Sequence, residues 1–400
     1  MAIYPFQKKN PEEEVVELSE RPSRRPKDTP LNQQRMKAWQ PIFSPKTSIK
    51  TFLAVGIVCL SIGAYWIVQN KKIREVRFDY TKCHEIDLYD EPELMPSENT
   101  YRHFRASSTG HPLTQWRRSN QSLTFDGITK NYTMCTIDFF LPDDLQPPVL
   151  FYYHLTEFHQ NHRKYVTSLD GSQLKGKSVS RGSVKDSCFP VTSSGSDRGE
   201  EKVIYPCGAI ANSIFNDTFA DPQRLLGPDA DQPVPYAMSR TGIASDLDKQ
   251  LYKPTTYPVP LGPDDNDSAV IVPPPNWAER FPRGYHSGNM FNPAEDEAFM
   301  VWMRTAASPS FAKLAMRNSD EVMVRGMYRL QVFSHFPAHL HGGTKSIIIS
   351  TTASGMERNK FLSTAGMALG GISIALAAVS VLSLLHKSKP LKDHIYLHRG

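Results

Sequence analysis

The sequence predicts a membrane protein in which two transmembrane α-helices enclose one large exoplasmic domain, which is β-rich, antiparallel and sandwich-like. Apolar residues run almost without interruption over 51–68 and 361–385, and a helix needs roughly 20 such residues to cross a bilayer. The segment between these runs holds four of the five cysteines and four glycosylation sequons. It also alternates short β-branched and aromatic runs with Pro, Gly and Asp, a pattern typical of strands and turns.

The composition of the 400-residue chain is that of a protein with a substantial hydrophobic core. Hydrophobic residues make up 40% and charged residues 22% of the chain, and the formal net charge is +5. The basic residues are spread along the sequence, and no basic stripe alternates with aromatic residues as in proteins that follow a phosphate backbone. Nucleic acid is therefore not an expected partner.

Five segments are predicted along the chain. Residues 1–48 contain an acidic run, several prolines and little apolar periodicity, so we expect a largely disordered cytosolic tail. The first transmembrane helix covers 49–69 and lies too far from the N-terminus to be an ordinary cleaved signal peptide. The exoplasmic domain follows over 70–360, the second transmembrane helix over 361–385 and a cytosolic C-terminal tail over 386–400.

Charge and modification chemistry predict the orientation in the membrane. Four basic residues follow the second apolar run whereas two precede it, so the positive-inside rule favours a cytosolic C-terminus. Two spans then place both termini in the cytosol and the intervening segment in the lumen or outside the cell. The even number of cysteines in that segment agrees with an oxidising compartment, and so do its sequons, which begin at Asn120, Asn131, Asn216 and Asn266.

Four cysteines permit three disulfide pairings. The arrangement Cys83–Cys135 with Cys188–Cys207 minimises crossing of the chain and is one of these three. A helix is expected from Asn292, which stands before a proline at the first helical position and acidic residues in the first turn.

The second apolar run contains a patch of small residues, Gly366, Gly370 and Gly371. Such residues let another helix approach closely. The patch therefore either packs against a partner helix or the first span, or has no role in helix packing. Neither apolar run carries a charged residue, and a transport path lined by these helices alone would be hard to build.

Two motifs suggest ligand chemistry that their context does not support. Residues 171–178 match the phosphate-binding pattern of nucleoside triphosphatases, but no buried strand precedes them and no amphipathic helix follows. The histidines at 335, 339 and 341 have no carboxylate nearby in sequence to complete a zinc site. No catalytic signature is present, so we expect a protein without cofactor, bound metal or enzymatic activity of its own.

Several long blocks in a fixed order resemble the cell cycle control protein 50 family, whose members are also called ligand-effect modulator proteins. The resemblance extends over nearly the whole chain and includes the second apolar run. It is carried by residues 38–42 (Ala-Trp-Gln-Pro-Ile), 158–166, 170–174 (Asp-Gly-Ser-Gln-Leu), 206–218 and 299–307.

The resemblance implies an accessory (beta) subunit of a type IV P-type ATPase that moves phospholipid from the exoplasmic to the cytosolic leaflet. It implies a heterodimer with the ATPase alpha subunit, contact with membrane lipid, and a role in the folding and endoplasmic reticulum exit of the ATPase. The expected location is the endoplasmic reticulum to Golgi, endosome or plasma membrane. Cys188 and Cys207 match a family disulfide and Asn216 a family glycosylation position, whereas the region from Cys83 to Cys135 matches weakly.

Two other classes of protein share the two-span layout. A ligand-gated channel subunit also carries a large ectodomain stapled by cysteines, and so does a cell-surface binding protein. Whole-cell currents from the chain expressed alone would identify the channel. A luminal enzyme would show activity in the isolated domain, although the sequence offers no site for it.

Overall fold

A computed structural model describes residues 28–32, 34–36, 44–88, 91–104, 112–195, 201–225, 232–261, 270–352 and 360–386. The chain divides into a β-rich unit, Ser61–Gly366, and a helical unit made of Met1–Leu60 and Met367–Gly400. Three sequence predictions lie outside the described residues: the outer parts of both tails, the block at 38–42, and the sequon at Asn266.

Two long helices contain the apolar runs. Helix α1 covers Pro45–Lys72 and helix α8 covers Lys360–His386, and both are long and apolar enough to cross a membrane. Helix α1 begins where Ser44 Oγ accepts a hydrogen bond of 3.3 Å from the Thr47 amide, with a proline at the first helical position. The predicted spans at 49–69 and 361–385 lie within these helices.

Six short helices interrupt the β-rich unit: α2 (Arg163–Val166), α3 (Gly171–Leu174), α4 (Arg181–Ser187), α5 (Ala209–Asn212), α6 (Asp246–Lys249) and α7 (Glu297–Met303) among the described residues. Helix α7 begins later than the sequence predicts. Its first turn is capped by Asp296, whose Oδ1 accepts a 2.8 Å hydrogen bond from the Phe299 amide. Asn292 instead accepts from the Ala294 amide at 3.1 Å, which closes a local turn before the helix.

The strands of the described residues are, in chain order, β1 (Glu75–Asp79), β2 (Glu93–Leu94), β3 (Thr100–His103), β4 (Gln115–Phe125), β5 (Ile128–Leu141), β6 (Val149–Leu155), β7 (Ser193–Gly195), β8 (Glu201–Ile204), β9 (Thr218–Phe219), β10 (Gln223–Leu225), β11 (Val234–Pro235), β12 (Ile271–Val272), β13 (Phe311–Asn318), β14 (Gly326–Ser334) and β15 (Lys345–Thr351). One antiparallel sheet has the order β13-β6-β15-β1-β3. A second has the order β11-β10-β14-β5-β4-β2, with β9 also paired to β14. In a small third sheet, β8 pairs with β7 antiparallel and with β12 in parallel, and that parallel pair departs from the predicted antiparallel pattern.

The main hydrophobic core lies between the two large sheets. Alternate residues of β1 point inward, so that Val76 and Phe78 are fully buried. The ring of Phe78 lies 4.7 Å from that of Phe139 on β5, in the facing sheet. Burying each such side chain contributes about 1.5–3 kcal/mol. The predicted architecture, two apolar helices and a β-rich sandwich, is confirmed.

A second core lies under the loops and short helices. Trp277 and Trp302 are its largest residues, and both are almost fully buried. Each indole donates its N–H to a backbone carbonyl of α5: Trp277 to Ala211 at 2.9 Å and Trp302 to Ile210 at 2.8 Å. Strand β6 contributes to both cores, with Phe151 in the first and Tyr153 in the second. The block at 299–307 therefore supplies core packing.

Gly208 stands where a side chain cannot fit. Its φ is 102°, and a Cβ at this position would overlap the backbone oxygen of Ser168. Few residues other than glycine adopt this backbone conformation. The block at 206–218 thus contains glycine for a steric reason.

We expect Gly208→Ala to lower the free energy of unfolding of the full-length chain by about 3 kcal/mol or more, since backbone strain and overlap add. Thermal unfolding in mild detergent measures the change. Gly182→Ala on α4 is the matched control, because nothing lies within 4 Å of its Cβ position. This change should raise the free energy of unfolding by up to about 1 kcal/mol. Equal effects of the two changes would contradict the steric explanation.

Candidate functional site

The four cysteines of the β-rich unit form two disulfides, Cys83–Cys135 and Cys188–Cys207. Cys83 lies in the turn after β1, whereas Cys135 lies on β5. The first disulfide therefore ties the two large sheets together. All four cysteines are buried, so their role is structural rather than reactive.

The second disulfide is surrounded by the sequence blocks that carry the family resemblance. Gln173 Oε1 accepts a 2.8 Å hydrogen bond from the Cys207 amide, and its Nε2 donates to Ile204 O at 3.1 Å. Ser168 Oγ donates to Cys188 O at 3.0 Å and accepts from the Ala209 amide at 2.8 Å. The blocks at 170–174 and 206–218 are therefore two halves of one buried structure.

The phosphate-binding pattern at 171–178 has its amides already occupied. Asp170 Oδ1 accepts hydrogen bonds from the amides of Ser172 at 2.9 Å and Gln173 at 2.8 Å. Those N–H groups would have to point at phosphate in a nucleotide site, and here a carboxylate takes that place. The match to the pattern is therefore incidental.

The candidate zinc histidines do not converge. No group of three or more His, Cys, Asp or Glu side chains within the described ranges is placed to hold a metal ion. His339 stacks on His84 with ring centroids 4.4 Å apart, and the His335 ring centroid lies 4.4 Å from that of Tyr132. These histidines have packing roles.

The described sequons have exposed asparagines. Asn120 and Asn131 lie on the β4–β5 hairpin, where Asn120 pairs with Thr133 and Ser122 pairs with Asn131. Each asparagine thus faces the hydroxyl residue of the other sequon. Asn216 is also exposed, although Asp217, the middle residue of its sequon, is buried.

Asp217 is the centre of a buried polar network that the sequence analysis missed. Its Oδ2 lies 2.8 Å from Lys345 Nζ and accepts a 2.8 Å hydrogen bond from the Tyr80 hydroxyl. Its Oδ1 accepts from the amides of His335 and Phe336, both at 2.6 Å. The side chains of Asp217 and Lys345 are only 0% and 3% exposed. The network links the residue after β1, the residue before β9, the end of β14 and the first residue of β15.

Lys345 is fully satisfied in this network. Besides Asp217, its ammonium donates to Ser334 Oγ and Phe336 O, both at 2.8 Å. Burial raises the pKa of Tyr80 well above its usual value, and the Asp217 carboxylate raises it further. The pKa of His335 is lowered, chiefly by burial and also by the Lys345 ammonium, although the carboxylates of Asp217 and Glu279 act in the opposite direction. Tyr80 is therefore a protonated donor and His335 a neutral imidazole at neutral pH.

In the helical unit, glycine lets the two helices pack closely. A Cβ on Gly370 would lie 2.7 Å from Leu60 Cγ and 2.9 Å from the Leu60 amide nitrogen. A Cβ on Gly56 would lie 2.6 Å from Ile374 Cδ1. Gly371 by contrast is exposed, with nothing within 4 Å of its Cβ position. Gly366, which belongs to the β-rich unit, is half-buried.

We expect Gly370→Val to destabilise the full-length chain in detergent by about 1–3 kcal/mol, because the added methyl groups overpack against Leu60. Gly371→Val adds the same side chain one position further along and should change stability by less than about 0.5 kcal/mol. Thermal unfolding of the two variants provides the measurement. A larger loss from Gly371→Val would be inconsistent with the helix packing described here.

Comparison with known proteins identifies relatives over almost the whole chain. The model of the LEM3 (ligand-effect modulator 3) family / CDC50 family matches residues 66–390. A relative from Chaetomium thermophilum, "Phospholipid-transporting ATPase accessory subunit CDC50", is 35% identical over 95% of this chain and 92% of its own length.

Relatives from other organisms give the same result. "Phospholipid-transporting ATPase accessory subunit CRF1" of Saccharomyces cerevisiae is 35% identical over 94% of this chain and 89% of its own. "Cell cycle control protein 50A" of Mus musculus is 32% identical over 91% and 90%. The resemblance seen in the sequence blocks is thereby confirmed: this chain belongs to the LEM3/CDC50 family.

Proposed function

We propose that the chain is the non-catalytic accessory subunit of a type IV P-type ATPase phospholipid flippase, with which it forms a heterodimer. The observation that carries this proposal is the 35% identity, over 95% of the chain, to a relative named as a phospholipid-transporting ATPase accessory subunit. The ATPase performs phosphoryl transfer and lipid movement. This chain supplies binding surface.

The outer faces of the two long helices suit such a partner or the surrounding lipid. On α1, Leu53, Val55 and Val58 are 46%, 45% and 57% exposed, and on α8 Leu369 and Ile372 are 57% and 58% exposed. Apolar side chains with this exposure need lipid or another helix as their environment. The chain is therefore expected to present these faces to the ATPase and to membrane lipid.

Gly371 offers a way to test the partner contact. Because it is exposed on α8, we propose that it faces a helix of the ATPase. Gly371→Val should then lower the amount of ATPase recovered with the chain several-fold while the thermal stability of the chain stays unchanged. Recovery equal to that of the unaltered chain would remove Gly371 from the interface.

The proposed topology has both termini in the cytosol and the β-rich unit on the exoplasmic side. The two buried disulfides and the exposed asparagines of three sequons support this orientation. In this orientation the chain assists folding of the ATPase and its exit from the endoplasmic reticulum towards the Golgi, endosome or plasma membrane. Depleting the chain should leave the ATPase in the endoplasmic reticulum.

Purification of the tagged full-length chain from its native membranes in mild detergent tests the proposal. Mass spectrometry should identify a P-type ATPase in near-equal amount. A tagged, unrelated two-span glycoprotein prepared in the same way is the matched control and should bring down none. If no P-type ATPase accompanies the chain at any growth stage, the proposal is wrong, and currents from the chain alone would support a channel instead.

Glycosylation at Asn216, Asn131, Asn120 and Asn266 is part of the proposal. Endoglycosidase treatment should increase the electrophoretic mobility of the chain, and Asn216→Gln should reduce that change by one glycan. Asn212→Gln, four residues earlier and outside any sequon, is the control and should leave the change intact. No mobility change in any glycosylating host would contradict an exoplasmic β-rich unit.

A further inference from the structure

A groove with a volume of about 300 Å³ opens beside Asn216. The β4–β5 hairpin forms one wall through Phe125 and Tyr132, and the sequon segment itself supplies Phe215 and Asn216. Further lining residues come from 276–298, including Trp277. Asn216 is thus part of the lining of this groove.

The lining has the chemistry of a carbohydrate site. A pyranose ring has a face of C–H groups that packs on aromatic rings, and an edge of hydroxyl groups that needs hydrogen-bond partners. Phe125, Tyr132 and Phe215 supply aromatic surface, and Glu279 supplies a carboxylate. Asp296 also lines the groove, but its carboxylate already accepts from the Phe299 amide and from Arg280. The Glu279 side chain is 51% exposed, so its carboxylate can accept a hydrogen bond from a ligand.

One buried hydroxyl in the wall is unsatisfied. Tyr132 is only 7% exposed, and its hydroxyl has no hydrogen-bond partner among the described residues. Its ring is fixed by contacts with His335 at 4.4 Å and Phe125 at 6.1 Å between centroids. A buried hydroxyl without a partner is unfavourable. The hydroxyl oxygen is closed to solvent, so Tyr132 offers a ligand in the groove its ring and not its hydroxyl.

We propose that this groove holds the first N-acetylglucosamine of the glycan on Asn216, stacked on the aromatic wall. The inference rests on glycosylation of Asn216, which belongs to the proposed function. Covalent attachment at the groove lining gives the sugar a high effective concentration there, so even a weak site is occupied. The glycan then acts as a wedge between the hairpin and the 276–298 segment.

Asn131 provides the internal control. It lies exposed on the same hairpin, its Oδ1 accepts a 2.6 Å hydrogen bond from Ser122 Oγ, and it lines neither this groove nor the neighbouring cavity of about 420 Å³ that also reaches Asn216. A glycan on Asn131 is therefore expected to extend into solvent.

Peptide:N-glycosidase tests the proposal, because it must reach the bond between asparagine and the first sugar. The full-length chain in mild detergent is digested in ¹⁸O water, once folded and once denatured, and peptide mass spectrometry measures release at each site. Release at Asn216 should be at least about tenfold slower in the folded chain than in the denatured one, as expected for several simultaneous contacts. Release at Asn131 should differ by less than about threefold between the folded and the denatured chain.

Phe125→Ala removes one aromatic ring from the lining and should speed release at Asn216 in the folded chain by about threefold to tenfold, the effect of one lost stacking contact. Leu123→Ala is the matched control. Leu123 is half-buried on the same hairpin but does not line the groove, and its loss should leave release at Asn216 unchanged.

Three outcomes would overturn the inference. Equal release rates at Asn216 in folded and denatured chain would show an open glycan. If release at Asn216 is slow only when the ATPase is present, the slow release is due to a loop of the partner. An unmodified Asn216 in the purified complex would refute the glycan subsite while the accompanying ATPase still supports the accessory role, so the two failures are distinguishable.

Discussion

Asp217→Ala is expected to lower the free energy of unfolding of the full-length chain by about 3–5 kcal/mol, because it leaves the Lys345 ammonium buried without its counter-ion. The change also removes the acceptor of the Tyr80 hydroxyl and of two backbone amides. The sequon at Asn216 survives, since its middle residue accepts any side chain except proline. Chemical or thermal unfolding in mild detergent gives the magnitude.

Two further variants distinguish charge from packing at this position. Asp217→Asn keeps the shape and part of the hydrogen bonding, yet it cannot neutralise Lys345 and should also be destabilising. Asp320→Ala removes an exposed carboxylate and should alter stability by no more than about 0.5 kcal/mol. If Asp217→Ala proved as mild as Asp320→Ala, the buried ion pair would not be an important source of stability.

Removal of the Cys83–Cys135 disulfide is expected to lower the free energy of unfolding of the full-length chain by about 4 kcal/mol. Its cysteines are 52 residues apart in sequence. In the chain-entropy account, closing a loop of that length lowers the conformational entropy of the unfolded chain, which raises its free energy by about 4 kcal/mol. The bond also joins the two sheets, so its loss loosens the sandwich at the turn after β1. The double variant Cys83→Ala/Cys135→Ala avoids placing new hydroxyl groups in the core.

The second disulfide and the free cysteine provide comparisons. Cys188–Cys207 closes a shorter loop of 19 residues, and Cys188→Ala/Cys207→Ala should cost about 3 kcal/mol. Cys59→Ser in α1 breaks no disulfide and should cost about 0.5 kcal/mol or less. Equal stability of the Cys83→Ala/Cys135→Ala and Cys59→Ser variants would be evidence against a stabilising inter-sheet bond.

Local patterns in the sequence predict most of the elements but not all their ends. The apolar runs predict both long helices, and short β-branched and aromatic runs of the sequence form β5, β6, β14 and β15. The start of α7 is different. Asn292 and Asp296 both have side chains suited to a cap, and it is Asp296 that caps α7. Phe299 and Trp302 of this helix lie in the second core.

The polar centre at Asp217 has almost no signature in the sequence. Asp217 appears as the neutral middle position of a sequon, and Lys345 as a charged residue before an apolar strand. One signal was available: a lysine directly followed by a run of buried-strand residues has no solvent side and needs a buried partner. The identity of that partner could not be read, because 128 residues separate the two groups.

The sequence by itself determined the two apolar helices, the β-rich class and membership of the family, since run length, alternation and long ordered blocks are properties of the linear chain. Only the tertiary structure decided that Lys345 faces Asp217, that Gly370 meets Leu60 while Gly371 stays exposed, and that aromatic side chains from three separate segments surround Asn216. These contacts join residues far apart in sequence. They exist only once strand register and helix rotation are fixed by burial of the cores.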